Sequence, residues 1–340
     1  MKVTLKEATA LATELLVGAG LAVEKARATA RVLVLAERWG IGSHGFLRLP
    51  IYLDRTDAGG FPTDAELVPT LDTGPLLTLD GSGGMGHWQM SRATEEAVTR
   101  ANRYGISVVA VGNSGHCGAL GVYAADAAAA GMVALVFSCG PAVLPAWGGT
   151  RALLSTSPVA AGFPLHGGPV IVDMALSTVA RGKIAAYARE GKPLPNGWAL
   201  DSEGAPTNDA QAALTGLLAP LGGAKGFALA FMVEALTAGL VGPMLSADIP
   251  DFFDTESQDR PQSIAHLIIV LDPTKLDVGG DPEAAARRME DLARRTREMG
   301  GRVPGSRRIA VKDVSDSDLL AFPDELWTEL RSRLREVGAP

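Results

Sequence analysis

Ser43, His44 and Arg48 lie within six residues of one another in the segment IGSHGFLRLP. A hydroxyl, an imidazole and a guanidinium are thus brought close together. Imidazole is the side chain best suited to give or take a proton near neutral pH. Guanidinium grips a carboxylate through two parallel hydrogen bonds. A proton carrier beside a carboxylate clamp points to a small 2-oxo or 2-hydroxy acid as substrate.

Other segments carry chemistry more weakly. Asn113-Ser114-Gly115-His116-Cys117-Gly118 follows an apolar run and leads into a helical stretch beginning at Gly121. Small residues before a helix leave backbone N–H groups open to an anion. His116 there either meets a ligand or caps the helix. Asp173 ends the run VIVD, with Ser177 and Arg181-Gly182-Lys183 following. An acid so placed binds a ribose or simply N-caps a helix. The loop 221–226, LGGAKG, lacks the spacing and the terminal Ser or Thr of a P-loop, which argues against nucleoside triphosphate hydrolysis. Gly81-Ser82-Gly83-Gly84-Met85-Gly86 matches G-x-G-x-x-G, yet the next strand ends in Gly112-Asn113-Ser114-Gly115 without the acid that holds a ribose. A flexible turn after Asp80 is the expectation there.

The five histidines are scattered, and neither Cys-x-x-Cys nor His-Glu-x-x-His spacing occurs, so no metal is expected. Without a G-x-S-x-G elbow, Ser43 reads as an orienting group rather than a nucleophile.

These residues need a scaffold. At 340 residues the chain is long enough for two packed cores or one large α/β core with extensions. Residues 3–40 read as helices broken at Gly18 and Gly20, with Leu5, Ala8, Leu11 and Leu15 on one stripe. From about residue 75, short apolar runs (76–79, 108–111, 133–137, 159–163, 170–174, 266–271) alternate with helical stretches, which implies an α/β or α+β class. Residues 282–299 and 323–337 read as charged helices, and 246–263, polar and acidic, as a surface loop or lid.

A net charge of −7 argues against a nucleic-acid partner. The apolar run 124–137 is broken by Gly131 and is shorter than the about 20 residues that span a bilayer, so no membrane partner is expected. The N-terminus lacks the apolar core of a secretory signal, and two cysteines make no disulfide framework. Cytoplasmic location is the default expectation.

Taken together, the chain resembles the type 2 malate/L-lactate dehydrogenases. Their relatives include ureidoglycolate and sulfolactate dehydrogenases, diketogulonate reductase and the cyclic ketimine reductases. The likeness runs from about residue 3 to 310, in SHGFLRLP at 43–50, GNSGHCGALGVYA at 112–124, PAWGGTRALLSTSPVA at 145–160, VDMALSTVARGKI at 172–184, PNGWALDSEGAPTND at 195–209 and LLAPLGGAKGFALAFMVEAL at 217–236. The resemblance implies a central, mostly antiparallel sheet domain outside the Rossmann class, flanked by helical N- and C-terminal segments. On this division 71–274 forms the sheet domain, and 1–70 with 275–340 the helical one. It also implies a homodimer and an NAD or NADP cofactor. His44 is then the proton donor or acceptor with Ser43 as its relay neighbour, although His116 matches a position that some members use as base. Arg48, Thr156, Arg181 and Gly182 would contact the carboxylate substrate. His116, Cys117, Gly118, Ala119, Leu120, Asp173, Met174, Ala175, Ala224, Lys225, Arg302, Gly305 and Arg307 would line the cofactor.

The chain departs from the pattern in three places. Cys117 replaces a usual aromatic, SCGP at 138–141 replaces the commoner TN pair, and Lys183 stands where ketimine reductases tend to carry Asp. The last favours a hydroxy acid over a cyclic imine.

Overall fold

A computed structural model describes residues 1–337. Thr4 opens the first helix, α1 (Leu5–Gly18), with a capping box: its hydroxyl accepts from the Glu7 N–H while the Glu7 carboxylate accepts from the Thr4 N–H. The stripe Leu5, Ala8, Leu11, Leu15 is buried, as its 3.6-residue spacing requires. Gly18 closes α1, and α2 (Val23–Arg38) follows. Two 3-10 turns, Gly42–His44 and Phe46–Arg48, then lead into α3 (Leu49–Asp57).

Seven strands form the central sheet: β1 (Val68–Asp72), β2 (Leu76–Asp80), β3 (Ile106–Ser114), β4 (Val133–Ser138), β5 (Val159–Phe163), β6 (Val170–Met174) and β7 (Ile264–Leu271). Their order is β1-β2-β3-β7-β4-β5-β6, and only β2 and β3 run parallel. The expected mostly antiparallel, non-Rossmann sheet is therefore present. Between the strands lie α4 (Gly86–Tyr104), α5 (Gly121–Ala129), α6 (Arg181–Arg189) and α7 (Ala224–Glu234). The chain ends with α8 (Ala284–Glu298) and α9 (Asp324–Val337).

Both faces of the central strands are covered, which explains why those strands read as near-continuous apolar runs, although β1 is exposed throughout. Val109, Val111, Ile268 and Val270 pack on one side with residues of α2, α4 and α5. Ala110 and Leu267 pack on the other with residues of α6 and α7. The apolar run 124–137 is the buried α5 followed by β4. Seven of the nine α5 residues are buried, so a helix apolar nearly all round is a core element here. No described helix is long and apolar enough to cross a membrane.

The chain ends meet. Lys2–Thr4 pairs antiparallel with Leu319–Ala321. One core cluster joins Leu11 and Leu15 of α1 to Phe46, Leu49 and Tyr52, and to Phe322, Trp327 and Leu330 near the C-terminus. Burying each such side chain contributes roughly 1.5–3 kcal/mol, so the terminal helices hold the segment that carries Ser43, His44 and Arg48.

The G-x-G-x-x-G segment joins β2 to α4 but is neither a dinucleotide fingerprint nor a flexible turn. The Gly81 N–H donates to the Gly112 carbonyl, that of Gly83 to Asn113 and that of Ser82 to the Asp80 carboxylate. The amides that cradle phosphate in a fingerprint are here spent on Asp80 and on the last residues of β3, whose end they pin.

Candidate active site

The 42–48 turns are held from behind by Glu37 of α2, whose carboxylate accepts from the Phe46 N–H at 2.7 Å. A Cβ on Gly45 would lie 2.5 Å from that carboxylate, so a larger residue there would displace Glu37. Ser43 Oγ lies 3.0 Å from His44 Nδ1. Arg48 Nε donates to the Ser43 carbonyl at 2.9 Å, which fixes one edge of its fork.

His116 comes from the loop after β3, and its ring stacks on His44 with centroids 5.8 Å apart. The loop beneath it is fastened by a buried polar chain. Gln89 donates to the Gly81 carbonyl and accepts from the Ser114 hydroxyl. His266 on β7 reaches Ser114 Oγ and the Gly115 carbonyl through Nε2, and Ser138 Oγ through Nδ1. The Gln262 side-chain oxygen accepts from the His116 N–H at 3.1 Å. The Gly118 N–H donates to His116 Nδ1 at 3.2 Å, and the Tyr52 hydroxyl lies 2.7 Å from the same nitrogen. Nδ1 is therefore an acceptor, and the neutral ring carries its proton on Nε2. Burial holds the Tyr52 phenol in its protonated form.

The site is dry. Burial, reinforced by Arg48, lowers the His44 pKa to about 4. His116 falls well below the usual imidazole range, through burial first and then through His44, His87 and Arg48. His87, fully buried edge-on to Tyr52, is pushed down to about 3, mainly by burial. At neutral pH these imidazoles are uncharged.

A second cluster adjoins the first through the 116–121 loop. Asp173 at the end of β6 lies against the first turn of α5, where a Cβ on Gly121 would come within 2.6 Å of its carboxylate. Burial raises the Asp173 pKa, opposed by the Arg308 guanidinium 3.4 Å away. Arg308 lies over the Trp39 ring, and its buried Nη1 has no partner among the described residues. Met174 and Ala175 follow Asp173 directly, Thr156 meets this stretch through the backbone, and Ala224 is exposed at the start of α7. The Leu176 N–H donates to the Thr156 carbonyl, and the Leu221 N–H to the Leu176 carbonyl.

Sequence-predicted residues thus fall into two groups. Ser43, His44, Arg48 and His116 converge. Gly118, Ala119, Leu120, Asp173 and Gly305 surround the start of α5 and β6. The Cys117 thiol turns inward beside His266. Arg302, Arg307 and Lys225 are exposed, and Gly182 lies at the exposed start of α6. Arg181 donates to the Leu214 carbonyl and faces Asp251 at 3.9 Å. Lys183 stacks over Trp198.

Sequence reasoning missed Tyr52, Phe252, Phe253 and Gln262. The 246–263 segment is more than a surface loop: Phe252 is buried, its ring 5.0 Å from His116 and 5.5 Å from Tyr52. Two adjacent phenylalanines in an acidic stretch were the available signal, since exposed aromatic pairs are unfavourable without a surface to cover. Tyr52 follows Arg48 by four residues, the spacing that shares a helix face.

The chain matches the family described as Malate/L-lactate dehydrogenase over residues 3–331. It is 37% identical to the (2R)-3-sulfolactate dehydrogenase (NADP(+)) of Chromohalobacter salexigens, covering 97% of each chain. It is 36% identical to the Delta(1)-pyrroline-2-carboxylate/Delta(1)-piperideine-2-carboxylate reductase of Pseudomonas aeruginosa, covering 98% of this chain and 99% of that protein. Among solved structures, the delta1-piperideine-2-carboxylate reductase of Pseudomonas syringae superposes with a TM-score of 0.89 at 30% identity, covering 98% of this chain and 99% of that one. The sulfolactate dehydrogenase of Methanocaldococcus jannaschii gives a TM-score of 0.90 at 26% identity, covering 99% and 98%.

Proposed function

This chain belongs to the malate/L-lactate dehydrogenase family, and from that premise we propose that it is an NAD(P)-dependent oxidoreductase interconverting a small 2-hydroxy acid and its 2-oxo acid. The observation that carries the reading is the convergence of Ser43, His44, Arg48, Tyr52 and His116 in one cluster.

The second cluster fits a dinucleotide. Arg308, with a nitrogen unpartnered among the described residues, suits a phosphate, and the Asp173 carboxylate suits ribose hydroxyls. When bound, the nicotinamide supplies or accepts the hydride. Gly118 to Leu120, Asp173 to Ala175, Ala224, Lys225 and the 302–308 segment would hold it. Exposed Arg302 and Arg307 are the candidates for a 2′-phosphate.

The remaining work falls to this chain's side chains. Arg48 pairs with the substrate carboxylate, with Thr156, Arg181 and Gly182 as further candidates for substrate contact. In reduction, two electrons and a proton reach the 2-carbon as hydride, and the developing alkoxide takes a second proton. His44 delivers that proton, because the Ser43 hydroxyl beside its Nδ1 can rotate to donate or accept. His116 cannot switch so readily: the Gly118 N–H can only donate to it. Its Nε2–H instead steadies the substrate oxygen, with Tyr52 fixing the ring.

A cyclic ketimine substrate is the second reading, favoured by the likeness to the Pseudomonas aeruginosa reductase. In both readings the protein acts as a homodimer joined through α7, whose outer face exposes Leu229, Phe231 and Met232. The buried, unpaired thiols of Cys117 and Cys139 accord with a reducing cytoplasm.

The test is NADH and NADPH oxidation with 2-oxo acids and with cyclic imino acids. Turnover with an oxo acid, reduced at least 100-fold by His44→Ala while NAD(P)H binding persists, is expected. Unchanged turnover in His44→Ala overturns its role, and turnover of imines alone establishes the second reading.

A further inference from the structure

Arg48 accounts for one carboxylate of the substrate. The Phe252–Phe253 pair borders whatever lies beyond it. The Arg48 guanidinium sits over the Phe253 ring, 4.4 Å from its centroid, and 5.9 Å from that of Phe252. The two rings meet edge to face at 5.3 Å. Phe252 also packs on His116, so the pair spans from the carboxylate clamp to the imidazole.

This wall is held firmly. Arg55, one turn beyond Tyr52 on α3, is fully buried. It donates to the Arg260 carbonyl at 2.7 Å and to the Ser257 carbonyl at 3.3 Å. Its guanidinium lies 6.0 Å from the Phe252 ring centroid. Its Nη2 ties the 246–263 segment to the helix that carries Tyr52, while its buried Nε and Nη1 have no partner among the described residues.

The electrostatics of the segment point the same way. Asp251 and Asp254 bracket the phenylalanines, and Asp248, Glu256 and Asp259 flank them, with Arg260 the single cation. Two nearby cations face other groups, and Arg55, beside Phe252, is enclosed in the fold. Arg181 faces Asp251, and Lys183 lies over Trp198. A second anionic group on the substrate would meet aromatic faces and carboxylates instead of a clamp, losing its hydration without a partner.

We propose that the Phe252–Phe253 wall makes this enzyme selective for a substrate whose substituent beyond the 2-carbon is apolar, open-chain or closed into a ring, over one bearing a sulfonate or a second carboxylate. The inference rests on the oxidoreductase reading above. A Cβ-linked methylene against such a wall is worth about 10-fold or more in kcat/KM, and an unpaired charge costs more.

The experiment compares kcat/KM for 2-oxobutyrate, 2-oxovalerate and pyrroline-2-carboxylate with that for oxaloacetate and 3-sulfopyruvate, in the native protein and in Phe253→Arg. Phe253 is 46% exposed, so its replacement leaves the core packed. The native protein should prefer an apolar substrate by at least about 10-fold. The comparison of 2-oxovalerate with the imine then distinguishes chain from ring. Phe253→Arg should raise the ratio of 3-sulfopyruvate to 2-oxobutyrate by a similar factor. Native preference for oxaloacetate or 3-sulfopyruvate overturns the proposal but leaves the oxidoreductase reading standing. An unchanged ratio in Phe253→Arg removes Phe253 as the determinant. Silence with every substrate and both cofactors overturns the oxidoreductase reading and the selectivity with it.

Discussion

The backbone N–H of Gly118 separates the chemistry of two stacked histidines. It commits Nδ1 of His116 to accepting, whereas Nδ1 of His44 faces a hydroxyl that works both ways. The pKa of His44 is lowered to about 4 by burial and then by Arg48. The sign of the consequence is definite. In the free protein the protonated donor is scarce above about pH 4. A bound substrate carboxylate offsets the Arg48 charge, stabilises imidazolium and raises that pKa. In the reductive direction the basic limb of the pH profile should therefore lie at higher pH for kcat, which reports the complex, than for kcat/KM, which reports the free enzyme. Coincident limbs would contradict the coupling of His44 to the carboxylate through Arg48. Ser43, His44, Arg48 and His116 were legible as candidates because their residue types suit proton transfer and carboxylate binding. Tyr52 and Gln262 were not, since their roles arise from distances to His116 across 64 and 146 residues of chain.

The elements that carry these residues are stabilised far from them. Leu15 on α1 is 1% exposed, within the cluster that also holds Phe46, Leu49 and Tyr52. Leu15→Ala should cost about 2–5 kcal/mol, read as a lower urea midpoint with an unchanged slope. A loss under about 1 kcal/mol would show that this terminal core is not integral to the fold. Most elements could be located from periodicity. The runs 159–163 and 170–174 are strands with those bounds, and α1 breaks where Gly18 interrupts the pattern. The 81–86 glycines were misread as flexible because a sequence does not show which carbonyls lie opposite its amides. Here they are those of Gly112 and Asn113.

At the scale of the molecule, the outer face of α7 is unusual: Phe231 is 56% exposed, and Leu229 and Met232 nearly half so. A net charge of −7 makes like copies repel, so association must draw on apolar area. Phe231→Glu together with Met232→Glu should convert a dimer to a monomer in sedimentation or light scattering, with a raised KM if the partner borders the cleft. A native protein that sediments as a monomer would refute the homodimer.

By itself the sequence determined the alternation of strands and helices, the family likeness and the candidates for proton transfer and carboxylate binding, because these depend on local periodicity and on side-chain chemistry. Tertiary structure alone decided which imidazole nitrogen is occupied, that the 246–263 segment lays Phe252 on His116, and that burial keeps four histidines neutral. Those outcomes depend on desolvation and on hydrogen bonds between distant segments, which exist only once the chain has closed around the site.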